Sequence, residues 1–340
     1  MSEHLPPNHP AMPTQKIGVL LLNLGTPDGT DYWNVRRYLR EFLSDPRVIE
    51  TNKLVWWPIL NLIILSFRPQ KSGHAYAQIW DKDKNESPLR VITREQTENL
   101  AERLRGDGVM VEFAMRYGNP STRSVLDKMQ AAGCQRILLV PLYPQYSATT
   151  TATANDKAFD ALRTMRWQPA VRTAPAYYDD PAYIAALGNS IREGVAKLDF
   201  EPDVVLTSYH GMPVDYHQKG DPYYCQCHKT TRLLRDYLGW SEDKLMVTFQ
   251  SRFGPTEWLQ PYTDKTLEAL PGQGLKKVAV LAPAFHADCI ETLEEIAIGG
   301  KESFLAAGGE KFAYIPCLNA TSGGMDFLET MVRRELGGWL

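Results

Sequence analysis

Short apolar runs rich in β-branched residues alternate along this chain with longer stretches in which apolar positions recur every three or four residues. That alternation predicts βαβ units and parallel sheets. Strands are expected at 17–23, 110–115, 136–140 and 170–173 in the first half, and at 204–208, 245–250, 277–281 and 312–316 in the second. Helical periodicity covers 31–44, 87–105, 121–132, 153–165, 181–198 and 290–306. Ser87 followed by Pro88 reads as a helix start, an N-cap side chain before a proline in the first turn. Four strands in each half predict two similar α/β lobes.

The lobes are expected to divide near residue 176, giving 16–176 and 177–320, with a last helix within 321–340 that could pack back on the first lobe. Residues 1–15 are proline-rich and polar and read as a flexible arm. They lack the basic start and apolar run of a secretory signal. Each strand is followed by a turn rich in Gly, Pro, Tyr and polar residues: NLGTP, RYGNP, PLYPQYS and APAYYDDP in the first half, SYHGMP, QSRFGP, APAFHADCIET and PCLNAT in the second. Open parallel sheets bind ligands at the carboxyl ends of their strands, so two facing lobes would line a cleft with these turns. One stretch breaks the pattern. Residues 54–67, LVWWPILNLIILSF, are almost wholly apolar yet number 14, short of the roughly 20 that span a bilayer. Core helix, a greasy lip over a pocket and a membrane-surface contact all fit. Adjacent Trp56 and Trp57 point apart in any regular structure, which favours a lip.

Composition narrows the function. A length of 340 residues suits two domains, and 37 basic against 40 acidic residues give a net charge of −3, with no basic block to hold nucleic acid. Five scattered cysteines argue against a disulfide framework and for the cytoplasm. No G-x-G-x-x-G follows the first strand, and there is no P-loop, serine elbow, H-E-x-x-H or zinc ribbon, so no nucleotide cofactor is expected.

Candidate chemistry gathers at the strand ends. His210 follows the fifth strand, in a Gly-Met-Pro turn that would hold the imidazole at the cleft, where it could take protons or ligate a metal; a capping histidine is the plain alternative. At 100° per residue Asp288, Glu291 and Glu295 share one helix face. They read either as dipole-stabilising acids in a first helical turn or as a carboxylate file for protons or a hard cation. Aromatic residues at or after strand ends (Tyr117, Tyr143, Tyr146, Tyr177, Trp258) would suit a large flat apolar ligand, although each alone reads as core. Arg36, Arg37, Arg40, Arg47, Arg68 and Arg116 could hold carboxylates on its rim. Cys225 and Cys227 form a lone C-x-C, a weak metal signal against two reduced surface thiols.

These motifs together resemble the ferrochelatase family, which inserts Fe²⁺ into a porphyrin. The resemblance runs over nearly the whole chain, through GVLLLNLGTP (18–27), FLSDPRVIE (42–50), FAMRYGNPS (113–121), LYPQYS (142–147), SYHGMP (208–213) with GDPY (220–223), QSRFGPTEWLQPYTD (250–264) and ADCIETLEEI (287–296). It implies two Rossmann-like lobes, each a four-stranded parallel sheet flanked by helices, around a cleft. It implies His210 and Glu291 as catalytic and metal-contacting residues, with Asp288 and Glu295 on a metal or proton path. Asn23, Leu24, Arg68, Tyr76, Ser87, Arg116, Tyr117, Tyr146, Ser251 and Trp258 would meet the porphyrin, and 54–67 would be a lip that touches the inner membrane. Cys289 stands where many members carry histidine, and His286 is read as a partial replacement. Some members hold a [2Fe–2S] cluster. No cysteine follows Cys317, which leaves Cys225 and Cys227 as the candidate thiols here; the chemistry itself requires no cofactor. The substrates implied are protoporphyrin IX and Fe²⁺. The alternatives are a chelatase for another tetrapyrrole such as coproporphyrin III, a non-catalytic porphyrin or haem binder, and a nucleotide-sugar transferase, for which no phosphate-cradling turn is visible.

Overall fold

All eight expected strands form, several running slightly longer than the apolar run that announced them. The structure is a computed structural model and describes residue 8, residues 15–252, residue 254 and residues 256–340. The arm expected over 1–15 lies outside the described residues except at positions 8 and 15. Strands β1 (Lys16–Thr26), β2 (Val109–Gly118), β3 (Cys134–Pro141) and β4 (Ala170–Thr173) build one parallel sheet in the order β2-β1-β3-β4. Strands β5 (Val204–His210), β6 (Leu245–Gln250), β7 (Lys277–Leu281) and β8 (Lys311–Ile315) repeat that order as β6-β5-β7-β8. In each sheet the chain leaves the first strand toward one side and later returns to its other side. This makes a switch point between β1 and β3, and a second between β5 and β7, with a crevice at their carboxyl ends.

Alternation along the strands decides what each sheet face meets. Val19 and Leu21 of β1, Val205 of β5 and Leu281 of β7 belong to one continuous apolar core with Tyr183, Leu187 and Ile191 of α7 (Pro181–Ala196). Leu20 and Leu22 face the other way, into a separate core with α5 (Thr122–Ala131) and α6 (Thr153–Arg163). The last helix, α13 (Ser322–Glu335), packs on α7 and also on α4 (Pro88–Arg103) of the first lobe. Arg103 of α4 pairs with Asp326 at 2.7 Å and with Glu329 at 3.0 Å. The lobes therefore share an apolar core closed by α13.

Two segments depart from expectation. The helix expected over 290–306 is a single α-turn, α11 (Ile290–Thr292), then a π-helix (Leu293–Gly300), then α12 (Lys301–Ala306). In a π-helix each N–H reaches back five residues, a widening that apolar spacing does not reveal. Residues 53–79, where a helix is one of the readings open for 54–67 and nothing is assigned beyond, form α2 (Lys53–Pro58), a π-helix (Ile59–Ile64) and α3 (Leu65–Ile79). One face of this segment is core, with Leu60, Leu65 and Tyr76 buried against Val35, Tyr38 and Leu39, and the other is an exposed lip. Leu54, Trp57, Leu62 and Phe67 are 86, 61, 68 and 75 % exposed. Trp56 turns inward, its ring N–H donating to the Leu43 carbonyl at 2.7 Å. No helix among the described residues is long and apolar enough to cross a membrane.

Candidate active site

The second sheet brings the strongest candidates to its switch point. His210 ends β5 and is half-buried. Its Nδ1 lies 2.7 Å from the Gly211 carbonyl oxygen. A carbonyl only accepts, so Nδ1 carries the proton and Nε2 remains to take a second proton or hold a metal. Gly211 is required by close approach: a Cβ there would lie 2.6 Å from the Gln250 carbonyl oxygen and 3.3 Å from the Trp258 ring. Glu291 stands in the one-turn helix after β7. Gln250, in register with His210 across β5 and β6, donates its side-chain amide to the Glu291 carbonyl at 2.7 Å and accepts from Ser208 at 2.6 Å. Gln250 thus ties the imidazole strand to the carboxylate turn. Neither its spacing nor its residue type had singled it out.

The first lobe supplies the opposite wall. Leu24, Tyr38, Tyr76 and Ser87 border one pocket with Cys289, Ile290 and Glu291. Gly25 sits there with φ +115°, and a Cβ would fall 1.8 Å from the Tyr117 carbonyl oxygen, so only glycine lets β1 turn against β2. Ser87 caps α4 and Pro88 opens it, as the sequence predicted. Tyr38 and Tyr76 meet edge to face at 6.4 Å. Burial, aided by the Glu291 charge, lifts both phenols far above their ordinary value.

Glu295 follows on the π-helix. The Ser251 hydroxyl donates to it, from a residue in the left-handed region at φ +68°. Glu295 is exposed at the surface of the π-helix, although protein atoms crowd round its carboxyl. Desolvation and the charge of Glu291 push it up to about 8, against the Ser251 hydroxyl and the half-buried Arg68. Glu295 is therefore protonated at pH 7 and ionises as the pH rises through about 8. A raised carboxyl pKa means that its contribution to folding is full below the unfolded value of about 4.3 and is lost as the pH rises from there to about 8, an effect solvent screening keeps small. A carboxylic-acid infrared band lost between about pH 7 and 9 and absent from Glu295→Gln is expected; a wild-type spectrum unchanged over that window would remove this assignment.

Other expected site residues lie elsewhere. Asp288 does not join the acidic file. It is 5 % exposed and accepts from Asn319 at 2.6 Å, Tyr314 at 2.6 Å and Thr292 at 3.0 Å. It precedes the helix, so helical angles do not apply to it. Asn23 is buried, its amide donating to Thr93 at 3.1 Å and its oxygen accepting from Leu24 N–H at 2.9 Å; it shapes the turn that presents Leu24. Tyr117 is fully buried and donates to Asp45 at 2.8 Å. Arg116 pairs with the same carboxylate and donates to Thr153 at 2.6 Å, so the carboxylate it holds is the protein's own. Arg37, Arg40 and Arg47 border a surface pocket beside Arg116, where Arg47 pairs with Asp156 at 2.8 Å. Tyr143 and Tyr177 are core. Tyr146 is half-buried, and its N–H donates to Gln226 at 2.7 Å. Trp258 is half-buried beside Gly211.

His286 does not replace the missing imidazole. It is 1 % exposed between the lobes, its Nδ1 2.9 Å from the Gln96 amide nitrogen, and burial lowers it to about 4. Cys225 is exposed and Cys227 buried on α9 (Tyr223–Leu238). Two residues apart on a helix they point to opposite sides. Among the described residues no three His, Cys, Asp or Glu side chains converge on a metal-sized site. A [2Fe–2S] cluster held by four thiolates does not fit these cysteines.

Two parallel four-stranded sheets of one order, with the candidate groups at their switch points, define a two-lobed α/β protein of the chelatase type. SirB from Bacillus subtilis with Fe³⁺ superposes with a TM-score of 0.56 over 96 % of this chain and 97 % of that one, at 10 % identity. The sirohydrochlorin chelatase SirB in complex with cobalt gives 0.54 over 96 and 98 %, also at 10 % identity, a likeness of fold alone. The ferrochelatase family model matches residues 16–336. A ferrochelatase of Allorhizobium ampelinum is 62 % identical over 99 % of this chain and 98 % of its own length, and one of Rhizobium meliloti 62 % over 98 % of each. The chain belongs to the ferrochelatase family.

Proposed function

We propose that the protein is an enzyme of haem biosynthesis that inserts Fe²⁺ into protoporphyrin IX, with both as substrates. The observation that carries this reading is Glu291 on one pocket with Leu24, Tyr76 and Ser87, in a turn that Gln250 ties to the strand end carrying His210. The apolar and aromatic wall of this pocket suits the face of a macrocycle, and the pocket, about 250 Å³ of empty space, would have to open to admit one. Insertion also needs a group to receive two pyrrole protons, and Nε2 of His210 is an available base. Glu291 and the protonated Glu295 then offer an onward path toward solvent. Peripheral contacts would hold the ring bent, with its nitrogen lone pairs turned to one face, at the expense of binding energy. Arg68 lies within electrostatic reach of Glu291 and Glu295, and its guanidinium is the chemistry that would meet a substrate carboxylate on this side. The test is anaerobic: Fe²⁺ or Zn²⁺ is supplied with protoporphyrin IX or coproporphyrin III while the visible spectrum is followed. Turnover with protoporphyrin supports the reading, preference for coproporphyrin moves the substrate, and tight binding without turnover makes the protein a carrier.

The exposed lip gives the same reading a route for an insoluble substrate. Leu54, Trp57, Leu62 and Phe67 would enter the surface of the inner membrane from the cytoplasmic side, a peripheral attachment. Each apolar side chain withdrawn from water contributes about 1.5–3 kcal/mol, so Trp57→Ser with Leu62→Ser is expected to weaken vesicle binding by at least about tenfold. Cosedimentation with anionic vesicles checks this, and equal binding of variant and wild type would exclude the lip as the contact.

A further inference from the structure

Glu291 sits in a helix of only three residues, which cannot fix a side chain by its own ladder. Its position is set from outside. Asp288, just before the turn, accepts from Thr292 at 3.0 Å, and Thr292 Oγ1 accepts from the Cys289 N–H at 3.0 Å. Both flanks of Glu291 are therefore pinned to Asp288. Asp288 in turn is clasped by Asn319, whose Nδ2 donates to its Oδ2 at 2.6 Å while its Oδ1 accepts the Asp288 N–H at 2.8 Å. Asn319 holds φ +49°, a conformation that asparagine, aspartate and glycine tolerate best. Its own N–H donates to the His286 carbonyl at 3.0 Å.

The clasp also reaches the first lobe. Gln96 of α4 is fully buried, and its amide nitrogen lies 2.9 Å from the Asn319 carbonyl oxygen and 2.9 Å from His286 Nδ1. The same helix carries Ser87 and Leu89 on the pocket wall and Thr93, which receives Asn23. One helix thus sets the wall of the pocket and, through Gln96 and Asn319, the turn that carries Glu291.

We infer that Asn319 is a positioning residue for Glu291, acting through Asp288 and linked to the opposite lobe by Gln96. The inference rests on the proposed metal insertion, in which Glu291 moves a proton or meets the metal. Displacing a group by about 1 Å from a remote site can cost on the order of 10²-fold in rate, whereas a merely structural bond changes the folded fraction and not turnover per folded molecule. Asn319→Asp keeps the backbone conformation but sets two carboxylates together. Asp288→Asn sets two amides together. The double variant Asp288→Asn with Asn319→Asp restores one donor and one acceptor, reversed.

The experiment measures Zn²⁺ insertion into protoporphyrin, porphyrin affinity by fluorescence quenching and thermal unfolding for the wild type, both single variants and the swap. Each single variant is expected to lose about 10–100-fold in kcat with KM for porphyrin within about threefold, and the swap to return within about fivefold of wild type. Unchanged kcat in folded Asn319→Asp, or a folded swap no better than its parents, would overturn the inference. If Asn319→Asp does not fold, Gln96→Leu stands in, with kcat expected to fall about 3–10-fold at unchanged KM; no change there overturns it equally. Wild-type turnover with an unaffected Asn319→Asp sinks the inference alone, and no wild-type turnover sinks the functional reading with it.

Discussion

Replacing His210 by alanine is expected to lower metal insertion by about 10²–10⁴-fold, the usual contribution of a positioned general base, while porphyrin affinity stays within a few fold. The expectation follows from how the ring is held. Gly211 gives its carbonyl to Nδ1, which fixes one tautomer and leaves Nε2 as the basic atom. The strand end that carries it is braced by Gln250, whose carbonyl lies where any larger residue at position 211 would collide. Loss of the imidazole removes a proton acceptor without disturbing Leu24, Tyr76 or Ser87 on the facing wall. Spectral assays of insertion, with fluorescence titration of porphyrin alone, separate chemistry from binding. Full activity in His210→Ala would remove the residue from the mechanism; equal losses of affinity and turnover would make it a binding group.

Asp45→Ala is expected to be the most destabilising single change near the site, about 2–4 kcal/mol, because it leaves the half-buried Arg116 guanidinium with only Glu41, 4.0 Å away, as an acid partner and strips the Tyr117 hydroxyl and Thr153 of their acceptor. Asp45 is 7 % exposed. It accepts from Arg116, Thr153, the Tyr117 hydroxyl at 2.8 Å and the Arg47 N–H at 2.8 Å. The Arg116 guanidinium also lies 4.2 Å from the centre of the Tyr117 ring, so one carboxylate organises the loop after α1 (Tyr32–Leu43), the end of β2 and the start of α6. Burial alone would raise the Asp45 carboxyl, but the bonds from Thr153, Arg47 and Tyr117 and the charge of Arg116 outweigh it and hold it below the ordinary carboxylate value. A depressed folded pKa gives stability that is complete above the unfolded value of about 3.9 and lost as the pH falls through the folded one. Urea unfolding should therefore show the full deficit of Asp45→Ala at pH 7 and a smaller one near pH 3. A deficit below about 1 kcal/mol at pH 7 would mean that water or another acid takes over Arg116.

The sequence determined the eight strands, their parallel arrangement in two lobes and the carboxyl-end location of the candidate groups, because β-branched runs and Gly-Pro turns are local signals. It also singled out His210 as a candidate, with a capping histidine as the alternative, and the structure places it at the carboxyl end of β5. Leu24, Tyr76, Ser87 and Glu291 were legible through motif resemblance, and the structure gathers them at one pocket. The exposed lip followed from two adjacent tryptophans that one helix cannot bury together.

Direction and partnership belong to the tertiary structure alone. Asp288 and Glu295 look equivalent along the chain, yet Asn319, Tyr314 and Thr292 consume the first while the second faces Ser251. Arg116 and Tyr117 read as ligand groups until Asp45, about seventy residues earlier, is found holding both. Gln96 and Asn319 carry no signal of their own because their meaning is a contact 223 residues apart. The physical reason is common to all of these. A polar side chain leaving water must find its partner wherever the fold provides one, and which lobe supplies that partner is fixed only when the two sheets share their core.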